Sequence, residues 1–284
     1  SSDLYQDDGR KPYHSVNFIT AHDGFTLYDL VSYDVKSNFQ AYPYGPSDGG
    51  EDHNNSKNWG NESLKLQQVR NFACFMLLAQ GTPMILGGDE FARTQRGNNN
   101  AYNLDTVCSW LDWSKKDSYK PLWNFFQGLI SFRKKYSALR RNNFLTGKDN
   151  NGDGISDIQW HGVIYLSPDW TVNSKVLAYR LDGNSKETGA SINHGDIYIA
   201  INSWKEALSL QLPPNRPGKK WYRTIDTSSW AENGSTIKNN IEIEGEEDVI
   251  SDGSWTNLNS QTFGGNSSYI YGISAHSVIV FIEK

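Results

Sequence analysis

The sequence is poor in cysteine, with only Cys74 and Cys108 among 284 residues. Two cysteines without metal-type spacing make neither a zinc site nor a dense disulfide framework, so buried free thiols are the expected state. No apolar run approaches the roughly 20 residues that a helix needs to cross a bilayer, which excludes a helical membrane protein. Positive charge is not in excess either. Lys and Arg number 27 against 32 Asp and Glu, giving a formal net charge of -5 and a pI near 5.7. No basic run could track a phosphate backbone, so nucleic acid is not an expected partner. The polar stretch Ser1 to Lys11 lacks the charged start and apolar core of a secretory leader. That favours a cytoplasmic over a secreted location.

What is present fits a soluble chain of one large or two medium domains, 37% hydrophobic and 21% charged. Aromatic residues make up 13%, with 10 Trp and 15 Tyr. Most would fill cores. Some could stack on the C–H faces of sugar rings, whose hydroxyls seek carboxylates and amides.

The stretch that organises the chain is Val16-Asn17-Phe18-Ile19-Thr20-Ala21-His22-Asp23-Gly24. A β-prone run ends in an imidazole, a carboxylate and a glycine, as when a buried parallel strand delivers polar side chains to the top of an α/β sheet. His22 and Asp23 alone could be metal ligands, half of a catalytic dyad or a capped turn. A second unit follows. The periodic positions Leu66, Val69, Phe72, Ala73, Met76 and Leu77 predict an amphipathic helix over Glu62 to Gln80, ended by Gly81 and Pro83. Next come the short apolar strand Met84 to Leu86 and the polar Gly87-Gly88-Asp89-Glu90-Phe91. Two strand-to-loop units joined by a helix form a βαβ crossover with both loops on one face.

Other stretches are read more briefly. Residues 1–14 are a polar lead-in, Phe25 to Tyr33 allows a short helix, and Asp34 to Asn61 is a long connection of the kind that is functional or disordered. Asp89 and Glu90 could serve as an acid and base pair or be bridged by Arg93 beneath the loop. The amide-rich Gly97 to Tyr102 offers donors and acceptors together, as sugar hydroxyls do. A last helix is predicted over Lys120 to Arg141.

From about Asn142 helical periodicity gives way to short strands, Val176 to Leu181, Ile197 to Ile201, Ala207 to Leu212 and Ser277 to Ile282, the last apolar throughout. Strands between turns rich in Gly, Asn and Pro indicate an antiparallel sandwich. Trp204 and Trp255 are weaker candidates for carbohydrate contact. Asp149, Asn151, Asp153 and Asp157 stand at positions 1, 3, 5 and 9 of a loop with Gly154 at position 6, the layout of an EF-hand-like calcium site. Trp160 stands where a bidentate acid would be. A structural calcium and an ordinary turn both fit.

The ordered set Phe18-Ile19-Thr20-Ala21-His22-Asp23-Gly24, Gly81-Thr82-Pro83-Met84, Gly87-Gly88-Asp89-Glu90-Phe91, Arg93 to Tyr102 and Trp110-Leu111-Asp112-Trp113 closely resembles the isoamylase and glycogen-debranching branch of the α-amylase superfamily. The resemblance implies an α/β plus all-β chain: the last strand-helix units of a (β/α)8 barrel over 1–142, followed by an antiparallel β-sandwich domain over 143–284. It implies that Asp23 binds sugar hydroxyls and favours the oxocarbenium-like transition state, with His22 as its hydrogen-bonding neighbour. On the barrel reading Asn54, Asn55, Trp59, Arg93, Asn100 and Tyr102 are candidate substrate contacts. It further implies a parent that hydrolyses α-1,6 branch linkages of glycogen or amylopectin-type glucans with retention.

Retention requires a nucleophilic Asp and an acid Glu on earlier strands, and nothing before Val16 could contain those strands. The chain alone is therefore expected to be inactive, and stable only with the preceding part of the barrel, by self-association or after rearrangement. Branched α-glucan is the expected partner, with no organic cofactor. The alternatives are a noncatalytic glucan-binding or structural module, part of an α-1,4-acting relative, and hydrolysis by a metal on His22 and Asp23, which the lack of other well-spaced histidines disfavours.

Overall fold

The computed structural model describes residues 5, 7–228, 249–250, 260–263 and 266–284. They divide into two compact units, Val16–Ile130 and a second made of Ser1–Ser15 with Ser131–Lys284.

In the first unit β1 (Val16–Asn17) lies parallel to β2 (Thr82–Pro83), with Val16 opposite Thr82 and Asn17 opposite Pro83. Between them run α1 (Leu27–Leu30) and α2 (Glu62–Leu77). This is a strand-helix-strand crossover. The ladder is shorter than the sequence predicts and lies earlier at its second strand, where Met84 adds one further bond from its N–H to the Asn17 carbonyl. Val16 and Phe18, expected to pack on both faces, are 54% and 53% exposed. A two-stranded ladder explains this, since β1 and β2 pair only with each other among the described residues.

Helix α2 starts where Asn61 accepts the Leu64 N–H at 2.9 Å, a side-chain cap that satisfies one orphan donor. It ends at Leu77 instead of Gln80. Val69, Ala73, Met76 and Leu77 are buried as the periodicity predicts, and so are Gln68, Arg70 and Asn71. Gln68 accepts from Asn71 at 3.1 Å, one turn along the same face. After a one-turn helix, α3 (Lys115–Ser118), comes α4 (Lys120–Lys135). It stops before the predicted Arg141, giving way to a single 3₁₀ turn at Ser137–Leu139. The division between the two units falls within α4, between Ile130 and Ser131, and not at the expected 142; the 3₁₀ turn that follows ends at Leu139 and the next strand begins at Ile158.

The second unit is built around a β-sandwich and carries the four-residue helix α5 (Ser185–Thr188). Six strands pair antiparallel: β3 (Ile158–His161), β4 (Val176–Leu181), β5 (Ile197–Asn202), then β11 (Ser277–Glu283), β7 (Trp221–Asp226) and β8 (Val249–Ile250). The smaller sheet orders β6 (Leu208–Gln211), β10 (Asn266–Ile273) and β9 (Ser260–Phe263). Between the sheets lie Ala178, Tyr198, Ala200, Ile279 and Phe281 from the larger one, facing Leu210, Tyr271 and Ile273 from the smaller. Tyr271 meets Phe281 edge-on at 5.0 Å. Strand β11 is buried at all seven positions because it is central and covered on both faces.

Candidate functional site

The polypeptide leaves β1 at Phe18 and turns back at Gly24, whose φ of +89° is left-handed backbone that glycine adopts without strain. His22 and Asp23 are thereby presented outward. Their side chains are 89% and 78% exposed, and Nε2 of His22 lies 3.5 Å from Oδ2 of Asp23. Neither has another described side-chain partner, so the loop backbone sets where the pair points.

That backbone is tied down from below. The Asp89 carboxylate, 3% exposed, accepts the Thr20 hydroxyl at 2.5 Å and the Leu27 N–H at 2.9 Å. Burial pushes Asp89 up to about 6 despite these donors, which pull the other way. The Gly24 N–H reaches the Asn99 carbonyl at 3.0 Å, and the Thr26 hydroxyl donates to the Arg93 carbonyl at 2.8 Å. The arginine-bridged carboxylate pair expected from the sequence is not what forms. Arg93 donates to the carbonyls of Gly87 and Ser109 at 3.2 and 2.9 Å, and Glu90 accepts the Gly88 N–H at 2.9 Å. Backbone carbonyls in a tight turn have claimed the guanidinium.

The amide-rich segment and the long 34–61 connection meet through a buried hydrogen-bond network. Asn99 accepts from Asn38 at 3.0 Å and donates to Asn54 Oδ1 at 2.8 Å and the Glu51 carbonyl at 2.7 Å. Asn98 accepts the Ser47 hydroxyl at 3.0 Å and donates to the Tyr44 carbonyl at 2.9 Å. Asp29 is buried and takes the Thr94 hydroxyl and the N–H groups of Gln95 at 2.7 Å and Gly97 at 3.3 Å. Burial raises its pKa, and the donors offset part of the rise. Gly97 has φ +83°, and a Cβ there would stand 2.8 Å from the Tyr33 ring, so this turn requires glycine.

The candidate contacts fall into two groups. Asn54, Asn100 and Tyr102 hold the loops: Asn54 binds Asn99 and the Glu51 carbonyl, Asn100 donates to the Asp48 carbonyl at 2.6 Å, and the Tyr102 hydroxyl donates to Asp48 at 2.8 Å. The Tyr102 ring itself is exposed. Asn55 is exposed in left-handed backbone at φ +51°, and Trp59 carries the Lys57 ammonium over its ring at 4.4 Å. Arg93 lines a cleft of about 360 Å³ with Tyr44, Arg96, Trp110, Asp112 and Lys115. The sequence reading missed Asn98, Asn99, Asn38 and Asp29. The three consecutive asparagines were a signal, but which of them faces inward was not.

In the second unit the four candidate calcium ligands do not gather around one point. Asp149 accepts the N–H groups of Gly152, Asp153 and Gly154 at 2.7, 3.2 and 2.8 Å. Asn151 donates to Asp182 at 2.9 Å, and Asp153 pairs with Arg216 at 2.7 Å. Asp157, fully buried, accepts from Thr146 and Gly147. Among the described residues no three His, Cys, Asp or Glu are placed to hold a metal ion. Trp204 lies under the ammonium groups of Lys175 and Lys205, each 5.8 Å from its ring. Trp255 is outside the described residues. Both cysteines are buried and neither is in a disulfide. No described helix is long and apolar enough to cross a membrane.

Solved pullulanase structures share this fold. The chain superposes on a type I pullulanase from Bacillus subtilis complexed with maltose with a TM-score of 0.58 at 20% identity, covering 96% of this chain and 28% of that one. A Paenibacillus barengoltzii pullulanase with maltohexaose and α-cyclodextrin gives 0.56 at 17%, covering 96% and 30%. In sequence, an isoamylase from Flavobacterium sp. is 40% identical over 289 residues, covering all of this chain and 34% of that protein. Chloroplastic isoamylase 1 of Arabidopsis thaliana is 39% identical over 238 residues, covering 80% and 28%. Residues 169–282 match the family described as "Isoamylase, C-terminal". Residues 169–282 thus carry an isoamylase C-terminal domain, and the whole chain is similar to isoamylases while spanning about a third of the length of the Flavobacterium relative.

Proposed function

We propose that this chain is the carboxyl-terminal part of a retaining glycoside hydrolase that cleaves α-1,6 branch linkages in glycogen or amylopectin-type glucans. The observation that carries the reading is the His22–Asp23 pair. It stands exposed at the end of a parallel strand-helix-strand unit, in a chain 40% identical from end to end to an isoamylase. On this reading the first unit supplies the last strand-helix units of a (β/α)8 barrel. Asp23 binds hydroxyls of the sugar at the scissile bond, and its contacts strengthen as positive charge develops, which lowers the barrier without a covalent bond. His22 orients it. The nucleophile and the general acid come from a preceding segment, which also covers the exposed edges of β1 and β2. Asn55, Trp59 and the cleft at Arg93 are the remaining candidates for glucan contact.

The test is reducing-sugar release from a branched α-glucan by the chain alone and by the enzyme with its preceding segment restored. Turnover is expected only in the second, and Asp23→Ala should lower it on the order of 10²- to 10³-fold. Turnover by the chain alone would move the chemistry to other carboxylates, Asp89 and Glu90 first. Glucan binding without turnover in either form would favour a noncatalytic module. Release from a linear α-1,4 glucan in preference to a branched one would place the parent among the α-1,4-acting relatives.

A further inference from the structure

We propose that Asp89 and Thr20 form a positioning clamp that sets the location of His22 and Asp23, a role that rests on the reading of those two residues as sugar contacts. The geometry is specific. The two oxygens of one carboxylate take up the two ends of a single loop: Oδ2 accepts from the Thr20 hydroxyl at 2.5 Å, and Oδ1 accepts from the Leu27 N–H at 2.9 Å. Between these anchors lie the six residues Ala21 to Thr26 and hence both site side chains. All the anchoring groups are buried, Asp89, Thr20, Phe25, Thr26 and Leu27 alike, so water does not compete for the bonds. The residues they position are the opposite. His22 and Asp23 are exposed, with Nε2 of His22 3.5 Å from Oδ2 of Asp23.

An exposed pair on a loop has no packing of its own to fix it, so its placement is inherited from the backbone. Hydrogen bonds to an ionised carboxylate are roughly twice as strong as neutral ones, and two at opposite ends of one loop restrain it more than two at one end. The Gly24 N–H bond to the Asn99 carbonyl adds a third point at the apex. Glu90 is not an equivalent carboxylate, because it closes on Gly88 within its own turn. Displacement of a catalytic group by about 1 Å can cost 10²-fold in rate, so loosening the clamp is expected to act on turnover more than on substrate capture.

The test compares Thr20→Val, which removes the hydroxyl at nearly constant shape, with Thr20→Ser, which keeps it, and with Asp89→Asn. All are made in the intact enzyme that contains this chain and assayed well below each melting midpoint, so that the folded fraction stays near one. Thr20→Val and Asp89→Asn should lower kcat about 10-fold or more with KM changed less than about 3-fold, and Thr20→Ser should stay within about 2-fold of the parent. Folded Thr20→Val and Asp89→Asn variants with parental kcat would overturn the clamp. So would loss of fold in both with a fully active Thr20→Ser, which marks a structural role only. Asp23→Ala, run alongside, separates the two claims: if it leaves turnover intact, the reading of Asp23 fails whatever the clamp variants do.

Discussion

The two units solve the same problem, fixing a chain in space, by different means. In 131–284 the backbone pairs with itself in long antiparallel ladders, and the sheets close over Tyr198, Phe281 and Ile279. In 16–130 the ladder is two residues long, and the loops from 20 to 27, 34 to 61 and 94 to 102 are held by side chains: Asp89, Asp29, Asn99 and Asn98 each bind at least two hydroxyl, backbone or amide groups. Regular structure spreads its stability over many equivalent bonds. A network of single side chains puts every loop at the mercy of a few residues, and in exchange it can present groups such as His22 and Asp23 without covering them.

The largest effect should come from breaking the sandwich where it too depends on single groups. Arg180, 2% exposed, pairs with Asp196 at 2.5 Å and Glu283 at 3.1 Å and donates to the Pro214 carbonyl at 3.0 Å. Arg180→Met leaves the two buried carboxylates with Arg216 as their one remaining cation among the described residues, at 3.1 and 3.5 Å, and Asp196 with the Gly183 N–H at 2.9 Å. A loss of roughly 3–5 kcal/mol is expected, because removing one partner strands the others in a poor solvent. Denaturant unfolding measures it, and hydrogen exchange should show the loss in 176–202 and 277–283. Equal loss of protection in 62–77 would mean that the two units unfold as one.

The pH dependence sharpens the contrast, because one buried group in each unit shifts with opposite consequence. His161, stacked on Tyr165 at 5.1 Å and accepting the Leu166 N–H at 2.9 Å, is pushed down to about 4, chiefly by burial and then by Arg180. Its folded value lies below its unfolded one, so its contribution is present above pH 6.5 and lost as pH falls through 4. Asp89 is pushed up to about 6. Its contribution is present below pH 3.8 and lost as pH rises through 6. Each is worth at most about 3 kcal/mol. Acid should therefore weaken the parent relative to His161→Gln and strengthen it relative to Asp89→Asn, read from unfolding curves between pH 4 and 7. Parallel slopes for the two variants would refute the assignment.

The smallest effect concerns the 149–157 loop. Its oxygens already serve backbone N–H groups and Arg216, so about 1 mM calcium or a chelator should move the melting midpoint by less than about 1 °C. A rise of several degrees would show that the loop reorganises around the ion.

Helix α2 and the strands β4, β5, β6 and β11 were legible because each depends on neighbours in sequence: a 3.6- or 2-residue period, a cap, a glycine or proline stop. The burial of β11 on both faces followed from its uninterrupted apolar run. Boundaries were less legible. Helix α2 ends early at Leu77, and α4 stops six residues before Arg141. In the site, His22 and Asp23 stood out because an apolar run ending in polar groups has few explanations. Asn100 and Tyr102 looked the same in sequence as sugar ligands would, yet their polar atoms bind Asp48. An amide's partner is chosen by what folds beside it, here a segment some fifty residues away.

The sequence by itself determined that Gly24 turns the chain after His22 and Asp23, that the second half alternates as a sandwich, and that Asp149 to Asp157 is an acidic loop. Those are local matters of backbone freedom and periodicity. Only the tertiary structure decided that Asp89 lies beneath the loop of His22 and Asp23, that Arg93 binds carbonyls instead of the carboxylates beside it, and that Asp153 meets Arg216. Each of these is a choice of partner for a charged or polar group, and such a group takes the partner that burial brings within reach.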